Sequence, residues 1–432
     1  MSKTENSNLP VIAASARTPF LETAGLYSEL MSYELGAMAL KGVVEQSQLD
    51  PVMIEQVVMG TVVHETNTTN VARDAMLKAG LAATTPAYTV AMAGLSPNIG
   101  LMNICNEVAL GRMSFGIASG TETFSDVPIR LSQTVRRTLM KMRQTKSATQ
   151  RLKLLMSLRP RDLKFDLPSS SDFHTGLTMG EACEAMAERY GASREESDAF
   201  AANSHAKALK SQRDGFFDDQ VLSVEINDQS ITRDNSIRAD STPEKLAKLK
   251  PAFKSNGIIT AGNSSRFTDG AGAILIGSMP EVERAGLKAQ AIIKDYLTAG
   301  VPSLETEMLL GPAVTIPKLL ARNGLSFDDI AVWELHEAFA TQVLINVRAM
   351  QSRKFIDDYC GNECPSGELP LELLNKHGGS LALGNPFAAT GIRLLQTAAQ
   401  RMDSERQRYA IVSSCAGGGL GAAILLENPN LS

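Results

Sequence analysis

The chain lacks several features that would assign it to common protein classes. It has five cysteines in 432 residues, too few and too unevenly spaced for a disulfide framework, so a reducing compartment is favoured. No apolar run approaches the roughly 18 residues that a membrane-spanning helix requires, and the polar segment from Met1 to Pro10 has no apolar stretch typical of a secretory signal. We therefore expect a cytoplasmic or matrix-type protein that is soluble or peripherally attached to a membrane.

Charge and metal-ligand spacing exclude two further classes. The formal net charge of -5 disfavours a nucleic-acid partner. Cys360 and Cys364 form one CxxxC pair, but no second pair accompanies them. Because a structural zinc site normally takes four nitrogen or sulfur ligands, we expect no metal site.

Short apolar segments alternate with segments of helical spacing along most of the chain. A capping box at Ser193 and Glu196 predicts a helix that continues to about Leu209, and 32–44 also has helical spacing. The strand-like segments are 11–15, 57–63, 113–119, 330–335, 409–413 and 422–427. Such alternation predicts a layered α/β architecture in which helices pack against mixed sheets.

The segment 130–164 differs from the rest because it contains seven arginines and four lysines against the single acid Asp162. Its middle is apolar at helical spacing, at Leu152, Leu155, Met156 and Leu158. A basic amphipathic segment can lie on an anionic membrane, dock on a partner or attract a phosphorylated ligand. It can equally be a solvated helix face, and the composition leaves these interpretations open.

Gly94 stands just ahead of a predicted helix start, at which Ser96 is the N-cap and Pro97 the first helical residue. A helix N-terminus lowers the pKa of a nearby thiol and offers free backbone N–H groups to an oxyanion. Glycine supplies only the backbone donor, and a glycine in a tight turn needs no functional explanation.

His336 and Cys415 each follow a predicted strand, which places both at an edge of a sheet. A histidine there suits a site, and a thiol there transfers protons if its pKa lies near neutral. The ordinary structural alternatives are a buried histidine and a small buried thiol.

Two glycine-rich motifs offer backbone donors. Residues 417–421 resemble a phosphate-binding loop, but the strand-like segment 422–427 follows them instead of a helix, so a dinucleotide fingerprint is not supported. The N–H groups of such glycines can hold a carbonyl oxygen. Asn385, in the motif Gly384-Asn385-Pro386, can orient a bound group but cannot act as a base near neutral pH.

Together these motifs resemble the thiolase family over about Pro10 to Asn428, and most closely the thiolase subunit of the trifunctional complexes of fatty-acid β-oxidation. The strings that carry the resemblance are Thr89–Asn98, Ser125–Arg130, Gln150–Leu154, Lys250–Phe253, Thr260–Ser265, Thr268–Ala271, Leu309–Pro312, His336–Phe339, Gly384–Pro386 and Cys415–Gly421.

The resemblance implies a thiolase fold, in which two related βαβαβ halves form a five-layered α/β/α/β/α core with an inserted loop domain. It places the N-terminal half at 1–125 and 251–280, the loop domain at 126–250 and the C-terminal half at 281–432. It further implies a homodimer and coenzyme A thioesters as substrate or ligand, with no tightly bound cofactor. The loop domain, with 130–164, would cover the coenzyme A and contact a membrane or a hydratase/dehydrogenase subunit.

The resemblance also implies that the catalytic set is incomplete. The family's nucleophilic cysteine is replaced by Gly94, and the histidine that activates it by Asn385. His336 and Cys415 match the family's remaining catalytic positions. Gly94, Gly417 and Ser264 would line the oxyanion and substrate-binding site.

Three hypotheses follow from this incomplete set. The first is an enzyme that acts on 3-ketoacyl-CoA-type thioesters by non-covalent C–C bond chemistry, as a lyase or retro-aldolase, a decarboxylase of a β-keto thioester or a condensing enzyme. The second is a non-catalytic subunit that binds acyl-CoA or pairs with an active thiolase or a hydratase/dehydrogenase. The third is a β-oxidation acyltransferase whose activity is weak or has been removed by substitution.

Overall fold

A computed structural model describes residues 8–431 of the chain. The strands of this part are β1 (Pro10–Arg17), β2 (Leu21–Glu22), β3 (Gln56–Gly60), β4 (Ala87–Val90), β5 (Phe115–Glu122), β6 (Arg130–Leu131), β7 (Phe165–Asp166), β8 (Val224–Ile226), β9 (Gln229–Ile231), β10 (Thr268–Ser278), β11 (Ala291–Gly300), β12 (Val332–Leu335), β13 (Tyr409–Ala416) and β14 (Leu420–Glu427).

The helices of the same part alternate with these strands. They are α1 (Ser32–Ser47), α2 (Val71–Lys78), α3 (Ser96–Ala109), α4 (Gln133–Gln144), α5 (Ala148–Met156), α6 (Met179–Tyr190), α7 (Arg194–Arg213), α8 (Pro243–Leu246), α9 (Met279–Arg284), α10 (Leu304–Glu307), α11 (Gly311–Arg322), α12 (Ala340–Gln351), α13 (Arg353–Tyr359), α14 (Ser380–Leu383) and α15 (Phe387–Ser404), with 3₁₀ turns at Pro51–Met53, Pro160–Asp162 and Phe327–Asp329.

The main sheet contains one pairing pattern twice. Its order is β12-β13-β14-β11-β1-β10-β5-β3-β4. From β4 to β1 the first two pairings are parallel and the next two antiparallel. The same sequence of pairings runs from a bridge at Leu374 through β12, β13 and β14 to β11. The two halves join where Val11 and Ile12 of β1 pair with β11, and the predicted related halves are thereby confirmed.

Alternating strand side chains divide the core into three apolar clusters and so create the layers. Val57 and Met59 pack with α1 and α2 on the outer face of one half, whereas Val58 faces α3 and α15. In the other half, Ile411 packs with α11 and α12 on its outer face, and Val412 again faces α3 and α15. The order of layers is therefore α/β/α/β/α, as the resemblance implies, with α3 and α15 in the middle.

The two middle helices start beside one another with no space for added atoms. A Cβ on Gly391 of α15 would lie 2.0 Å from Oδ1 of Asn98 and 3.1 Å from Pro97, both in the first turn of α3. A Cβ on Gly120 of β5 would lie 1.7 Å from the carbonyl oxygen of Ala388. Glycine at these positions lets the N-terminal ends of both helices converge at one place in the core.

The basic segment forms a helical hairpin that contributes little to the core. We call α4 and α5 with their flanking residues 129–167 the basic hairpin. Within α4 only Val135 is buried, and α5 has no buried residue. Its exposed apolar side chains include Met140, Leu152, Leu155, Met156, Leu163 and Phe165. An apolar surface of this kind, rimmed by cations, is typical of a contact surface.

All the predicted elements are present, and most differ from the prediction by a few residues at their ends. The capping box of Ser193 and Glu196 starts α7 as predicted, although the helix continues to Arg213. The predicted strand 57–63 ends at Gly60, because the N–H groups of Val62 and Val63 turn to donate to the Glu122 carboxylate at 3.1 and 2.9 Å. Residues 422–427 belong to β14, so the glycine loop joins two strands.

Within residues 8–431, no helix is long and apolar enough to cross a membrane. All five cysteines are free thiols. In the same part of the chain, His, Cys, Asp and Glu side chains form no group of three or more that could hold a metal ion.

Candidate active site

The predicted site residues come from both halves and meet near the start of the middle helices. Gly94 precedes α3, Asn385 precedes α15, and Cys415 lies near the end of β13. His336 directly follows β12, and its N–H donates to the carbonyl of Ser413 on β13 at 2.9 Å. The positive ends of two helix dipoles therefore point towards this region, which favours a ligand that carries or develops negative charge.

Gly94 lies on a tight turn that Ser96 holds. Ala93, the preceding residue, has φ of 47°, an unusual conformation for a residue other than glycine and one that concentrates at functional sites. The Ser96 hydroxyl accepts from the N–H of Met92 at 2.9 Å and donates to the carbonyl of Ala93 at 2.6 Å. The prediction of Ser96 as N-cap is wrong, because α3 already includes it and Leu95 is the N-cap.

The Gly94 position has room for a side chain. An ideal Cβ there would lie 3.9 Å from the carbonyl oxygen of Cys415 and 4.0 Å from Cβ of Ala416, both ordinary van der Waals distances. This contrasts with Gly120, where the added carbon would overlap a backbone oxygen. Glycine at 94 is thus not required by packing, and its neighbours leave a space the size of a small side chain beside β13.

Asn385 is buried and hydrogen-bonded at both ends of its amide. Its Oδ1 accepts from the Thr390 hydroxyl at 2.9 Å, and its Nδ2 donates to the Ser265 hydroxyl at 3.2 Å. Its backbone N–H donates to the carbonyl of Arg266 at 2.8 Å. These contacts fix the amide in one orientation. Since an amide cannot take up a proton near neutral pH, Asn385 orients its surroundings and supplies no base.

His336 is 7% exposed, and burial, together with the nearby Arg393, lowers its pKa to about 3. Its Nδ1 lies 3.0 Å from the Ser380 hydroxyl. Its Nε2 makes no hydrogen bond to residues 8–431. At neutral pH the ring is therefore an uncharged imidazole whose Nε2 remains available to a ligand.

Cys415 is 3% exposed, and burial raises the pKa of its thiol to about 12. The condition set from the sequence, a thiol that titrates near neutral pH, is therefore not met. Cys415 stays protonated under ordinary conditions. A thiol of this kind can deliver a proton to a strongly basic carbanion but cannot remove one from a carbon acid.

Gly417 and Ser264 differ in what they can offer a ligand. The N–H of Gly417, in the turn between β13 and β14, has no hydrogen-bond partner among the residues that the structure describes. Met179 of α6 lies beside the same glycine, with its sulfur 3.4 Å from the position of a Cβ. The Ser264 hydroxyl donates its proton to the carbonyl of Thr260 at 2.6 Å, so to a ligand it can act only as an acceptor. The backbone of Ser264 forms a β-bridge with Phe339.

Two buried carboxylates support the site and were not identified from the sequence. Glu122 accepts from the loop at 62–63, and the carboxylate of Glu337 accepts from Ser204 at 2.8 Å and from Nδ2 of Asn375 at 2.7 Å. A Cβ on Gly379 would lie 2.2 Å from Cδ of Glu337, so this carboxylate fixes the backbone that carries Ser380. Glu337 lies within a string that carries the resemblance, but its partners come from distant parts of the chain.

Because a Cβ fits at Gly94 and would overlap other atoms at Gly120, the alanine variants at these two positions should differ in stability. We expect Gly94→Ala to leave the free energy of unfolding unchanged or raise it by up to about 1 kcal/mol, since alanine restricts the unfolded chain. We expect Gly120→Ala to lower it by about 1–3 kcal/mol through overpacking. Urea unfolding measures both. Equal losses in the two variants would contradict the open space beside Gly94.

The depressed pKa of His336 makes the folded state sensitive to acid. Between its ordinary value of 6.5 and the folded value of about 3, the unfolded chain binds the proton and the folded chain does not, so this contribution to stability is lost as pH falls through that window. We expect the melting temperature of His336→Gln to fall less than that of the unsubstituted protein between pH 7 and pH 4. The exposed His174→Gln is the matched control, and an unchanged slope for His336→Gln would refute this role.

Comparison with known proteins agrees with the layered fold. Profiles of the thiolase N-terminal and C-terminal domains match residues 10–280 and 287–428. The mitochondrial trifunctional enzyme subunit beta of Bos taurus is 39% identical over 418 residues, which cover 96% of this chain and 88% of the relative. A probable 3-ketoacyl-CoA thiolase of Caenorhabditis elegans is 38% identical over 432 residues, covering 99% and 96%.

Solved structures of similar proteins have the same fold. The acetyl-CoA acetyltransferase of Bacillus anthracis superposes with a TM-score of 0.84 at 29% identity, covering 98% of this chain and 100% of that one. The human mitochondrial 3-ketoacyl-CoA thiolase in complex with CoA superposes with a TM-score of 0.82 at 27% identity, covering 98% of each chain. The chain belongs to the thiolase family.

Proposed function

We propose that this thiolase-family protein binds coenzyme A thioesters and breaks or forms a C–C bond next to the thioester carbonyl without an acyl-enzyme intermediate. The observation that carries the proposal is the open position at Gly94. It leaves room beside Cys415 for a side chain, yet glycine offers no nucleophile. The relatives named 3-ketoacyl-CoA thiolase, and the solved relative in complex with CoA, support a CoA thioester as the ligand.

The remaining groups of the site donate hydrogen bonds and do not accept protons. The neutral His336 presents Nε2, Cys415 retains its S–H, and the Gly417 N–H has no hydrogen-bond partner in the part of the chain that the structure describes. Donors placed where negative charge develops stabilise an enolate or oxyanion. With a pKa of about 3, His336 is too weak a base to remove a proton from carbon.

This donor set favours one of the three reaction classes. Condensation and retro-aldol cleavage both begin with removal of a proton, whereas loss of CO2 from a thioester with a carboxylate on its second carbon does not. In that reaction the bond to the carboxylate carbon breaks, its electron pair becomes the thioester enolate, and CO2 leaves. The Cys415 S–H then protonates the carbon, and the thiolate recovers its proton from water. We therefore place decarboxylation first among the three.

A non-catalytic subunit is the second candidate, and the fixed Asn385 amide favours it. Both polar atoms of this amide are engaged by Thr390 and Ser265, so the site lacks a base at the position that the resemblance assigns to one. In this alternative the protein binds acyl-CoA, within a homodimer or beside a catalytic partner, and turns over nothing by itself.

We also propose that the basic hairpin contacts an anionic membrane surface, as part of an inserted domain at 126–250 that covers the coenzyme A. Its exposed apolar side chains project from helices that carry most of its cations, such as Arg137, Lys141 and Arg151. Juxtaposed apolar and cationic side chains suit the boundary between lipid headgroups and acyl chains. A docked hydratase/dehydrogenase subunit is the competing occupant.

The proposal of non-covalent chemistry predicts what restoration of the missing pair will do. The protein should decarboxylate a CoA thioester of malonyl or methylmalonyl type with no acyl adduct on the chain. Gly94→Cys with Asn385→His should gain both an acyl adduct and thiolysis of a 3-ketoacyl-CoA, because a Cβ at position 94 meets only ordinary van der Waals contacts. Intact-protein mass spectrometry detects the adduct, and chromatography of the CoA products measures turnover.

Controls separate the candidate functions. Cys415→Ala should abolish turnover, whereas Cys105→Ala, which removes an equally buried thiol of α3, should retain it. An acyl adduct on the unsubstituted protein would overturn the proposal. Tight binding of acyl-CoA without turnover of malonyl-type, 3-hydroxyacyl or 3-ketoacyl thioesters would favour the binding subunit.

The hairpin proposal predicts binding to lipid vesicles. The protein should sediment with vesicles that contain phosphatidylserine and remain in solution with pure phosphatidylcholine, and salt should weaken the binding because each cation contributes about 1 kcal/mol near the surface. Leu155→Ser with Met156→Ser should reduce the bound fraction severalfold. Leu110→Ser, at another exposed leucine, should not. Equal binding by both variants would refute the contact and leave a protein partner as the occupant.

A further inference from the structure

Three side chains form a buried relay behind the site. Nη2 of Arg393 donates to the Ser380 hydroxyl at 2.7 Å, and the same oxygen lies 3.0 Å from Nδ1 of His336. Ser380 begins α14 and Arg393 lies on α15, and both are 0% exposed. The relay therefore connects the middle layer of the fold to the ring of His336.

The protons that each group carries determine which atom donates in each hydrogen bond of the relay. A guanidinium has five N–H donors and no acceptor, so Arg393 must donate to Ser380. The serine hydroxyl has one proton, and Nδ1 of His336 is the only other partner of its oxygen among residues 8–431. If Nδ1 carried a proton, the serine proton would be buried without an acceptor, which is costly. The serine therefore donates to Nδ1, and the ring proton lies on Nε2.

The contact with Ser380 is the main hydrogen bond that stabilises the buried Arg393 guanidinium. Its Nε and Nη1 have no hydrogen-bond partner among residues 8–431, and Nη1 lies 3.9 Å from the carboxylate of Glu334. The other oxygen of Glu334 accepts from Arg401 at 2.8 Å. Within the described part of the chain, the Ser380 oxygen is thus the single hydrogen-bond acceptor of a guanidinium that is fully buried. Losing it would leave a buried donor wholly unpaired.

We propose that Arg393 and Ser380 are positioning residues that fix His336 as the Nε2–H tautomer, so that His336 acts on a bound thioester as a hydrogen-bond donor and not as a base. The catalytic consequence rests on the proposed function, whereas the tautomer itself does not. The Nε2–H would point at the thioester oxygen, where an enolate places its negative charge. No proton transfer by His336 is then part of the reaction, and its donor state is set before the ligand binds.

The chain contains a matched pair for the test. Nδ1 of His377 lies 2.7 Å from the hydroxyl of Ser211. Within residues 8–431 no guanidinium donates a hydrogen bond to this second serine–histidine contact, which lies outside the predicted site. Substitutions at Ser211 and Ser380 therefore remove the same type of bond in two places. With five histidines in the chain, all ring nitrogens can be followed after selective ¹⁵N labelling.

The test is ¹⁵N NMR of the ring nitrogens in the full-length protein at pH 7. His336 should show one protonated Nε2 and one unprotonated Nδ1. Ser380→Ala should shift the Nδ1 resonance of His336 and not that of His377, and Ser211→Ala should do the reverse. Ser380→Asp replaces the donor by an acceptor and should move the proton to Nδ1. A proton on Nδ1 in the unsubstituted protein would overturn the proposal. This result needs no variant, so it decides the proposal whether or not the variants fold.

Turnover supplies a second readout. Where the protein decarboxylates a thioester, Ser380→Asp should lower kcat at least tenfold, as loss of an oxyanion donor does, and Ser211→Ala should leave it unchanged. A tautomer on Nε2 without any turnover would sustain the relay and refute the proposed function. Turnover with Nδ1 protonated would refute the relay alone.

Discussion

The convergence of the two middle helices is the constraint on which the site depends. Gly120 and Gly391 allow the first turns of α3 and α15 to approach each other and β5 with no spare volume. That packing fixes Gly94, ahead of α3, beside the end of β13, and Asn385 ahead of α15 beside Ser265. Interiors of such density transmit displacement instead of absorbing it, so the geometry of the site is a property of the whole core.

In the function that we propose, the site supplies hydrogen-bond donors, with no nucleophile at Gly94 and no base at Asn385. Burial raises the pKa of Cys415 and lowers that of His336, so both are uncharged at neutral pH. Neither group removes a proton from carbon, and both can donate a hydrogen bond to a developing enolate. This is the reason that our proposal places a reaction beginning with loss of CO2 ahead of one beginning with loss of a proton.

The fold was largely predictable from the sequence because it depends on local signals. Alternating apolar segments give the strands, the capping box at Ser193 starts α7, and the strand after residue 421 excludes a dinucleotide loop. The end of β3 was not predictable, because the N–H groups of Val62 and Val63 donate to the carboxylate of Glu122, which lies about 60 residues away in the sequence. Nor was the role of Ser96, whose hydroxyl holds the preceding turn instead of capping the helix.

The site was predictable at the positions that carry motifs and not at those that act through burial. His336, Cys415 and Gly94 stand in recognisable strings. Arg393 lies in an ordinary helical sequence, and only the packed structure brings it to Ser380. A buried arginine gives no pattern in the sequence, since its contact with Ser380 depends on how the turn between the neighbouring helices α14 and α15 packs.

The most direct measurement of the central claim is a crystal structure of the protein with an intact CoA thioester bound. The account predicts a thioester oxygen about 2.7–3.1 Å from Nε2 of His336, with its acyl carbon bonded to no side chain and the space at Gly94 free of covalent attachment. An acyl group bonded to any residue, or a thioester oxygen remote from both His336 and Gly417, would contradict it.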